Sequence, residues 1–197
     1  MRYLSAFFLL ILSVVNPGHA QQPGPQTSGP SGKPGKFTIG ETWGGGKIFW
    51  LDESGQHGLV AAPSDQSPAG TPWNPGKSIT TAASSDGLYA GQPNTAAIMA
   101  AQGAEKQYAA RICNDLVITA GNAAYSDWYL PSRYELNLLF RQRSAVGGFN
   151  TTSGIYWSST ESASEPASMA WEQEFKLGGQ YEDDKDQPNQ VRCIRKF

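Results

Sequence analysis

The sequence has few of the residues on which most enzyme sites depend. Histidine and cysteine each occur only twice in 197 residues. If residues 1–20 are removed during export, as the N-terminal pattern indicates below, His57 is the one histidine that remains, in a turn where an imidazole is usually solvated. A serine-hydrolase triad or a histidine-rich metal site would have to be built on that side chain. We therefore expect no catalytic residue, no bound metal and no other cofactor.

A hydrophobic run long enough to cross a membrane is also missing. The apolar run at residues 3–15 follows Arg2 and precedes the small residues Gly18 and Ala20. It is shorter than the ~20 residues that span a bilayer, and the pattern is typical of a secretory signal peptide. We predict cleavage near Ala20 and a mature protein that is secreted or held at the cell surface, without a membrane span.

Positive charge is not in excess either. The formal net charge is −2, and loss of Arg2 with the signal peptide would make it more negative. Nucleic-acid binding depends on clustered positive charge, so nucleic acid is excluded as a partner. Only 16% of residues are charged, whereas glycine, proline and aromatic residues are plentiful. This composition indicates a loop-rich extracellular domain.

The two cysteines, Cys113 and Cys193, are an even number in a chain that we expect to enter an oxidising compartment. A disulfide between them is the prediction. The alternative is a reactive thiol, which needs a nearby activating base that this sequence scarcely offers.

A linker precedes the folded part of the chain. Residues 21–36, QQPGPQTSGPSGKPGK, contain no apolar residue to bury, and their two Gly-X-Y triplets are too few for a collagen triple helix. One globular domain is expected at 37–197. Its first runs of β-forming residues, at 46–51 and 58–62, predict a hairpin. The low periodicity of 63–94 predicts a long irregular loop.

Helical patterns occupy the middle of the domain. Apolar residues recur at helical spacing in 95–101 and 105–116. A capping box at Ser132 and Glu135 marks the start of the clearest helix, which should end near Gly147. Further short strands are expected at 155–158, 169–176 and 190–195, with a turn at 178–179. The order of strands, helices and strands predicts an α+β fold of short antiparallel strands, two or three helices and long loops.

Two local motifs suggest a ligand site, but their residue spacing does not match the known binding motifs. GGGK at 44–47 would need a glycine where Glu41 stands and a hydroxyl residue where Ile48 stands to be a phosphate loop, so a tight turn is predicted instead. The acidic run EDDKD at 182–186 does not match the helix-loop-helix calcium motif. A solvated hairpin tip is the preferred interpretation, and calcium binding is the alternative.

Candidate ligand-binding residues are one tryptophan and several cations. Most of the six tryptophans are expected in the core, but Trp73 lies in the long polar loop, where it would either stack on a sugar ring or anchor the loop. Strand alternation puts Arg195 on the face of Cys193, as a buried and paired arginine, and puts Arg192 on the opposite face. The cations proposed to hold a sulfated ligand are Lys77, Arg141, Arg143, Arg192 and Lys196.

Five blocks together carry a resemblance to a known family. They are IGETWGGGKIFWLDESGQHGLVAA, YAARICNDL, SDWYLPSRYELNLLF, YWSSTE and VRCIR, in this order. With the collagen-like triplets before them, they resemble the C-terminal domain family of the Legionella collagen-like adhesin over residues 37–197.

The resemblance implies a fold related to C-type lectin-like and formylglycine-generating-enzyme-like domains. It also implies an exported, non-catalytic adhesive module, a homotrimer that binds extracellular glycans, among them sulfated glycosaminoglycans. The two cysteines fall in matching blocks, consistent with a pair. One alternative is a structural or protein-binding module of the envelope. A less favoured one is an oxidoreductase of the formylglycine-generating type, which would need a redox-active cysteine pair.

Overall fold

A computed structural model describes residues 35–197, and the expected signal peptide and most of the expected linker lie outside the described residues. The strands are β1 (Thr42–Trp43), β2 (Gly46–Leu51), β3 (Gly58–Ala61), β4 (Ile118–Ala120), β5 (Ala123–Tyr125), β6 (Ile155–Glu161), β7 (Met169–Glu174), β8 (Gln180–Asp184) and β9 (Ile194–Lys196). The helices are α1 (Gly91–Gln102), α2 (Ala109–Asn114), α3 (Arg133–Arg141) and α4 (Arg143–Val146).

These elements confirm the α+β fold of short antiparallel strands with long loops. Four helices are present within residues 35–197, where two or three were predicted, because the segment after Pro131 divides into α3 and the single turn α4. The more specific C-type lectin-like assignment stays a prediction. None of the described helices has the length and apolar character needed to cross a membrane.

The first sheet joins the two ends of the described domain in the order β1-β2-β3-β9, with all neighbours antiparallel. The predicted hairpin β2-β3 is confirmed. Gly44 and Gly45 form the turn between β1 and β2, both with positive φ, which confirms the tight turn expected there. Gly46 must also lack a side chain, because a Cβ would lie 2.0 Å from the carbonyl oxygen of Ala61.

The second sheet has the order β6-β7-β8, also antiparallel. Its β7-β8 turn lies at residues 175–179, around the predicted glycine turn. The prediction that 182–186 is a hairpin tip is therefore wrong, because residues 182–184 belong to strand β8. Lys185 is 1% exposed, and its Nζ donates to Glu161 Oε1 at 2.6 Å and to the carbonyl oxygen of Pro166. An internal ion pair thus occupies the position where a solvated loop was expected.

Helix α3 begins as the sequence predicts. The Ser132 hydroxyl accepts the Glu135 backbone N–H at 3.2 Å, and the Glu135 carboxylate accepts the Ser132 N–H at 2.9 Å, which completes the capping box. Leu136 and Leu139 are its buried apolar residues. Helix α1 begins at Gly91, earlier than predicted, because Pro93 lies in the first turn, where its missing N–H costs nothing.

A disulfide between Cys113 and Cys193, with an S–S distance of 2.01 Å, cross-links the core. The bond links helix α2 to the segment just before β9, and both cysteines are fully buried. The disulfide prediction is confirmed. No free cysteine occurs in residues 35–197.

Residues 63–90 are irregular, as predicted, but they are fixed to the second sheet. Trp73 Nε1 donates to the carbonyl oxygen of Ser158 at 2.8 Å, and Trp157 Nε1 donates to that of Thr71 at 3.0 Å. The backbone N–H of Thr81 donates to Glu161 Oε1 at 2.8 Å. Buried polar groups need such partners, and here they hold the loop in one conformation.

Candidate functional site

The structure places the predicted sugar-stacking tryptophan inside the core. Trp73 is fully buried and forms part of the larger apolar cluster, and Lys185 Nζ lies 4.1 Å above its ring centroid. Its ring has no face open to a ligand. Trp73 therefore anchors the long loop, which is the second of the two roles considered for it.

Arg192 is likewise buried, which corrects the expectation that it faces solvent with Lys196. Its Nε donates to Asp65 Oδ1 at 2.8 Å, its Nη2 donates to the Gly148 carbonyl oxygen, and its guanidinium lies 3.9 Å from the Phe149 ring centroid. The alternation argument fails because strand β9 begins only at Ile194, so Arg192 precedes the strand. A fully paired guanidinium cannot also hold a sulfate.

The other predicted cations are at the surface but on separate elements. Lys77 is exposed in the long loop, Arg141 is exposed at the end of α3, and Lys196 is exposed on β9. Arg143 is half-buried, lies 4.0 Å from the Phe140 ring centroid and donates to that residue's carbonyl oxygen at 3.0 Å. Of these cations, Lys196 lines the groove described next.

A groove of 610 Å³ lies beside the first sheet, where the β2-β3 turn meets the end of the chain. Its volume falls in the range of small-ligand sites. We call it the β9 groove, after the strand that carries Lys196. Two smaller depressions of 250 and 280 Å³ elsewhere on the surface have no aromatic lining residue. The β9 groove is lined by Asp52, His57, Tyr89, Asp127, Lys196 and Phe197.

Tyr89 has an unusual backbone in this groove. Its φ is 63°, in the left-handed region that a bulky residue rarely adopts. Its backbone N–H donates to Glu135 Oε1 at 2.8 Å, and its ring meets Trp50 edge to face at 6.0 Å between centroids. The residue remains 36% exposed. Strained residues held by their surroundings are concentrated at ligand-binding sites.

The buried carboxylate of Glu135 holds the Tyr89 backbone in place. Besides the Tyr89 N–H, its carboxylate accepts the N–H groups of Gly91 and Ser132 and the hydroxyl of Tyr129. Burial raises the pKa of Glu135, and these four hydrogen bonds oppose the rise. One carboxylate therefore joins the start of α1, the start of α3 and the strained turn at Tyr89.

Asp52 supplies an ionised carboxylate to the groove. Its Oδ1 accepts the Ser54 hydroxyl at 2.6 Å and the Gly55 N–H at 2.9 Å. Chiefly because of the Ser54 hydrogen bond, the pKa of Asp52 lies below its usual value. Its Oδ2 lies 3.8 Å from His57 Nδ1, and the His57 side chain is 66% exposed, as expected for a turn histidine.

Asp127 supplies the second carboxylate and is held by Arg195. The Arg195 Nε donates to Asp127 Oδ1 at 2.6 Å and its Nη2 donates to Oδ2 at 2.9 Å. The guanidinium also lies 4.6 Å from the Tyr125 ring centroid. Arg195 is therefore the buried, paired arginine that the sequence predicts, and it orients Asp127 towards the groove.

The groove has hydrogen-bond acceptors and aromatic side chains, but its His57 and Asp52 and the neighbouring Ser54 are not arranged for nucleophilic catalysis. In a triad the serine hydroxyl donates to the histidine, whereas here Ser54 donates to Asp52. Burial, followed by the charges of Asp52 and Glu135, raises the pKa of Tyr89, so its phenol stays protonated. Within residues 35–197 there is also no group of three or more acidic, histidine or cysteine side chains placed to hold a metal ion.

The comparison with known families bears on residues 63–195, which match a family model described as the Lcl C-terminal domain. The chain belongs to the Lcl C-terminal domain family. No curated protein matches the sequence. The matched region of this Lcl C-terminal domain includes Tyr89 and Asp127 of the β9 groove. Asp52 and His57, in the β2-β3 turn, and Lys196, at the end of β9, lie outside it.

Sequence reasoning missed most of the groove of this Lcl C-terminal domain. Lys196 was among the predicted ligand residues and His57 was considered, but Asp52, Tyr89 and Asp127 were not. No local pattern marks Tyr89, because its backbone conformation depends on a carboxylate 46 residues away in the chain. The SDW motif did contain Asp127, and its pairing with an arginine of β9 is the signal that could have found it.

Proposed function

We propose that this Lcl C-terminal domain is a secreted or surface-attached adhesive module that binds glycans without catalysing a reaction. Family membership supports the adhesin-like role. The observation that carries the glycan proposal is the β9 groove, where a rigid, half-open tyrosine ring stands among side chains that accept hydrogen bonds. An aromatic ring that provides contact area beside polar groups that fix orientation is the usual composition of a small-ligand site.

The redox alternative has little support in the described residues. A formylglycine-generating type of oxidoreductase needs reactive cysteines, and Cys113 and Cys193 are bonded to each other and fully buried. A buried disulfide is poorly accessible to an attacking thiolate. This supports a non-catalytic role and leaves the groove as the candidate site.

A glycan array with the exported protein tests the proposal, with its mass in solution measured by light scattering in parallel. We expect glycan binding, which a homotrimer would strengthen by presenting three grooves at once, by a factor of about 10² or more. Retention on heparin that falls with salt would indicate sulfated glycosaminoglycans as ligands. A protein that binds no glycan on the array would refute the adhesive glycan-binding role.

A protein-binding module of the envelope is the second candidate, favoured by one surface observation. Leu177 is 82% exposed at the β7-β8 turn, and Tyr181 on the edge strand β8 is 60% exposed. Exposed apolar side chains along the edge of a sheet and at its turns are typical of protein contacts. Cross-linking on intact cells with wild-type protein and with Leu177→Ser separates the candidates, because a protein partner lost only in the variant supports the second one.

A further inference from the structure

The charges of the β9 groove specify the class of glycan, an inference that rests on the proposed function. The lining residues carry two carboxylates, on Asp52 and Asp127, one ammonium, on Lys196, and the imidazole of His57. Arg195 adds no free cation, because its guanidinium is occupied by Asp127 and its side chain is only 11% exposed. Arg195 in turn neutralises much of the Asp127 charge, so a sulfate in this groove would meet the ammonium of Lys196 beside the ionised carboxylate of Asp52 and the oxygens of the paired Asp127 carboxylate. Like charges brought together in a binding site oppose binding.

The hydrogen-bonding capacity of the groove points to a ligand that donates. Ionised carboxylates only accept hydrogen bonds, and each of their oxygens has more than one lone pair. The protein donors to Asp52 reach its Oδ1, and Arg195 gives a single N–H to each oxygen of Asp127. Acceptor capacity therefore remains on both side chains. Sugar hydroxyls satisfy it, whereas sulfate oxygens have no proton to donate.

The Tyr89 ring supplies the third part of the site. The face of an aromatic ring is electron-rich, so it attracts the slightly positive C–H groups on the apolar face of a sugar ring. Because Glu135 holds the Tyr89 backbone and the Trp50 ring packs against the Tyr89 ring at a right angle, little conformational freedom remains to be lost on binding. Ring and carboxylates together match a ligand with one apolar face and several hydroxyl groups.

We propose that the β9 groove binds an uncharged, hydroxyl-rich saccharide, with Tyr89 against the sugar ring and Asp52 and Asp127 accepting from its hydroxyls. Binding of this kind releases few counterions and so depends little on salt. On a glycan array, neutral hexose or N-acetylhexosamine glycans should bind better than sulfated ones. The affinity for the best neutral glycan should change less than about twofold between about 0.05 and 0.5 M NaCl, because its ligand carries no charge to be screened.

Tyr89→Asn is the decisive variant, because asparagine tolerates the left-handed conformation and removes the ring. Binding of the neutral glycan should weaken by about tenfold or more, while cooperative thermal unfolding shows that the domain remains folded. The matched control is Tyr181→Asn, which removes an exposed tyrosine outside the groove and should leave affinity unchanged.

Three results would overturn the inference, and each would refute a different part of it. Preferential binding of sulfated glycans, lost on adding salt and unaffected by Tyr89→Asn, would refute the neutral specificity while leaving the adhesive function intact. Salt-sensitive binding of sugars with free amino groups would show that the carboxylates select a cation instead. Absence of binding to any glycan would refute the proposed function itself.

Discussion

Replacing Glu172 by glutamine should change how the stability of the domain depends on pH. Glu172 lies on β7, is 7% exposed, and accepts a hydrogen bond from Asn189 Nδ2 at 2.5 Å. The same amide also donates to Asp183 Oδ2 at 3.2 Å, so two carboxyl groups share one partner. Burial, and after it the charge of Asp183, raises the pKa of Glu172 from 4.5 to about 8.

The direction of the effect follows from proton binding. Between pH 4.5 and about 8 the folded protein keeps the proton on Glu172 while the unfolded chain has released it. The free energy of unfolding therefore falls as pH rises through this window and levels off above it. At 1.36 kcal/mol per pKa unit the full shift corresponds to about 5 kcal/mol. Because Asp183 is only partly buried and water screens the pair, we expect about 2–3 kcal/mol.

Glu172→Gln imitates the protonated acid, since its amide can accept from Asn189 and donate to Asp183. The variant should show a flatter pH dependence and exceed the wild type in stability by about 2 kcal/mol at pH 9. Urea unfolding followed by tryptophan fluorescence from pH 5 to 9, with the disulfide intact, measures both. Glu53→Gln removes a carboxylate at an exposed site and is the control. Parallel curves for wild type and Glu172→Gln would refute this account.

Three further sets of substitutions probe the interactions that hold the site and the core. Replacing Cys113 and Cys193 by alanine should lower the free energy of unfolding by about 4 kcal/mol, because the bond closes a long loop, and a loss below about 1 kcal/mol in urea unfolding would contradict this. Glu135→Gln should lower the free energy of unfolding by about 2 kcal/mol, because the NH2 group of the glutamine would face N–H donors. The same variant should also weaken glycan binding. Lys185→Met should lower the free energy of unfolding by about 3–5 kcal/mol, measured by thermal unfolding, since it leaves Glu161 charged and buried. Adding Glu161→Gln should recover part of that stability. No recovery in the double variant would show that the ion pair is not the cause.

Local signals predicted the parts of the fold that local chemistry determines. The capping box placed the start of α3, and the glycines placed the β1-β2 turn. The disulfide followed from composition and compartment. Arg192 was placed wrongly, because alternation was applied to residues that precede strand β9. Lys185 was also placed wrongly, since its charged neighbours gave no sign that Glu161 and Trp73 enclose it.

The groove could be predicted only in fragments, because its residues come from distant parts of the chain. Lys196 and His57 were visible as charged or titratable residues. Tyr89 acquires its role through Glu135, and Asp127 through Arg195, and both are long-range pairs. Tertiary contacts of this kind determine which exposed polar residues form a site.

The position of β9 has a mechanical consequence for the adhesive role proposed above. The chain enters the described domain where the Phe37 ring packs against Phe197, with ring centroids 5.1 Å apart, and Phe197 also lines the groove. Tension between a ligand held in that groove and the chain that enters at Phe37 would cross the first sheet, and it would also act on the segments that carry Tyr89 and Asp127. The hydrogen bonds between β3 and β9 would bear this tension, and the disulfide at Cys193 would limit how far β9 can be displaced. None of the residues that line the groove belongs to the sheet β6-β7-β8, so a ligand held there would not pull on that sheet directly.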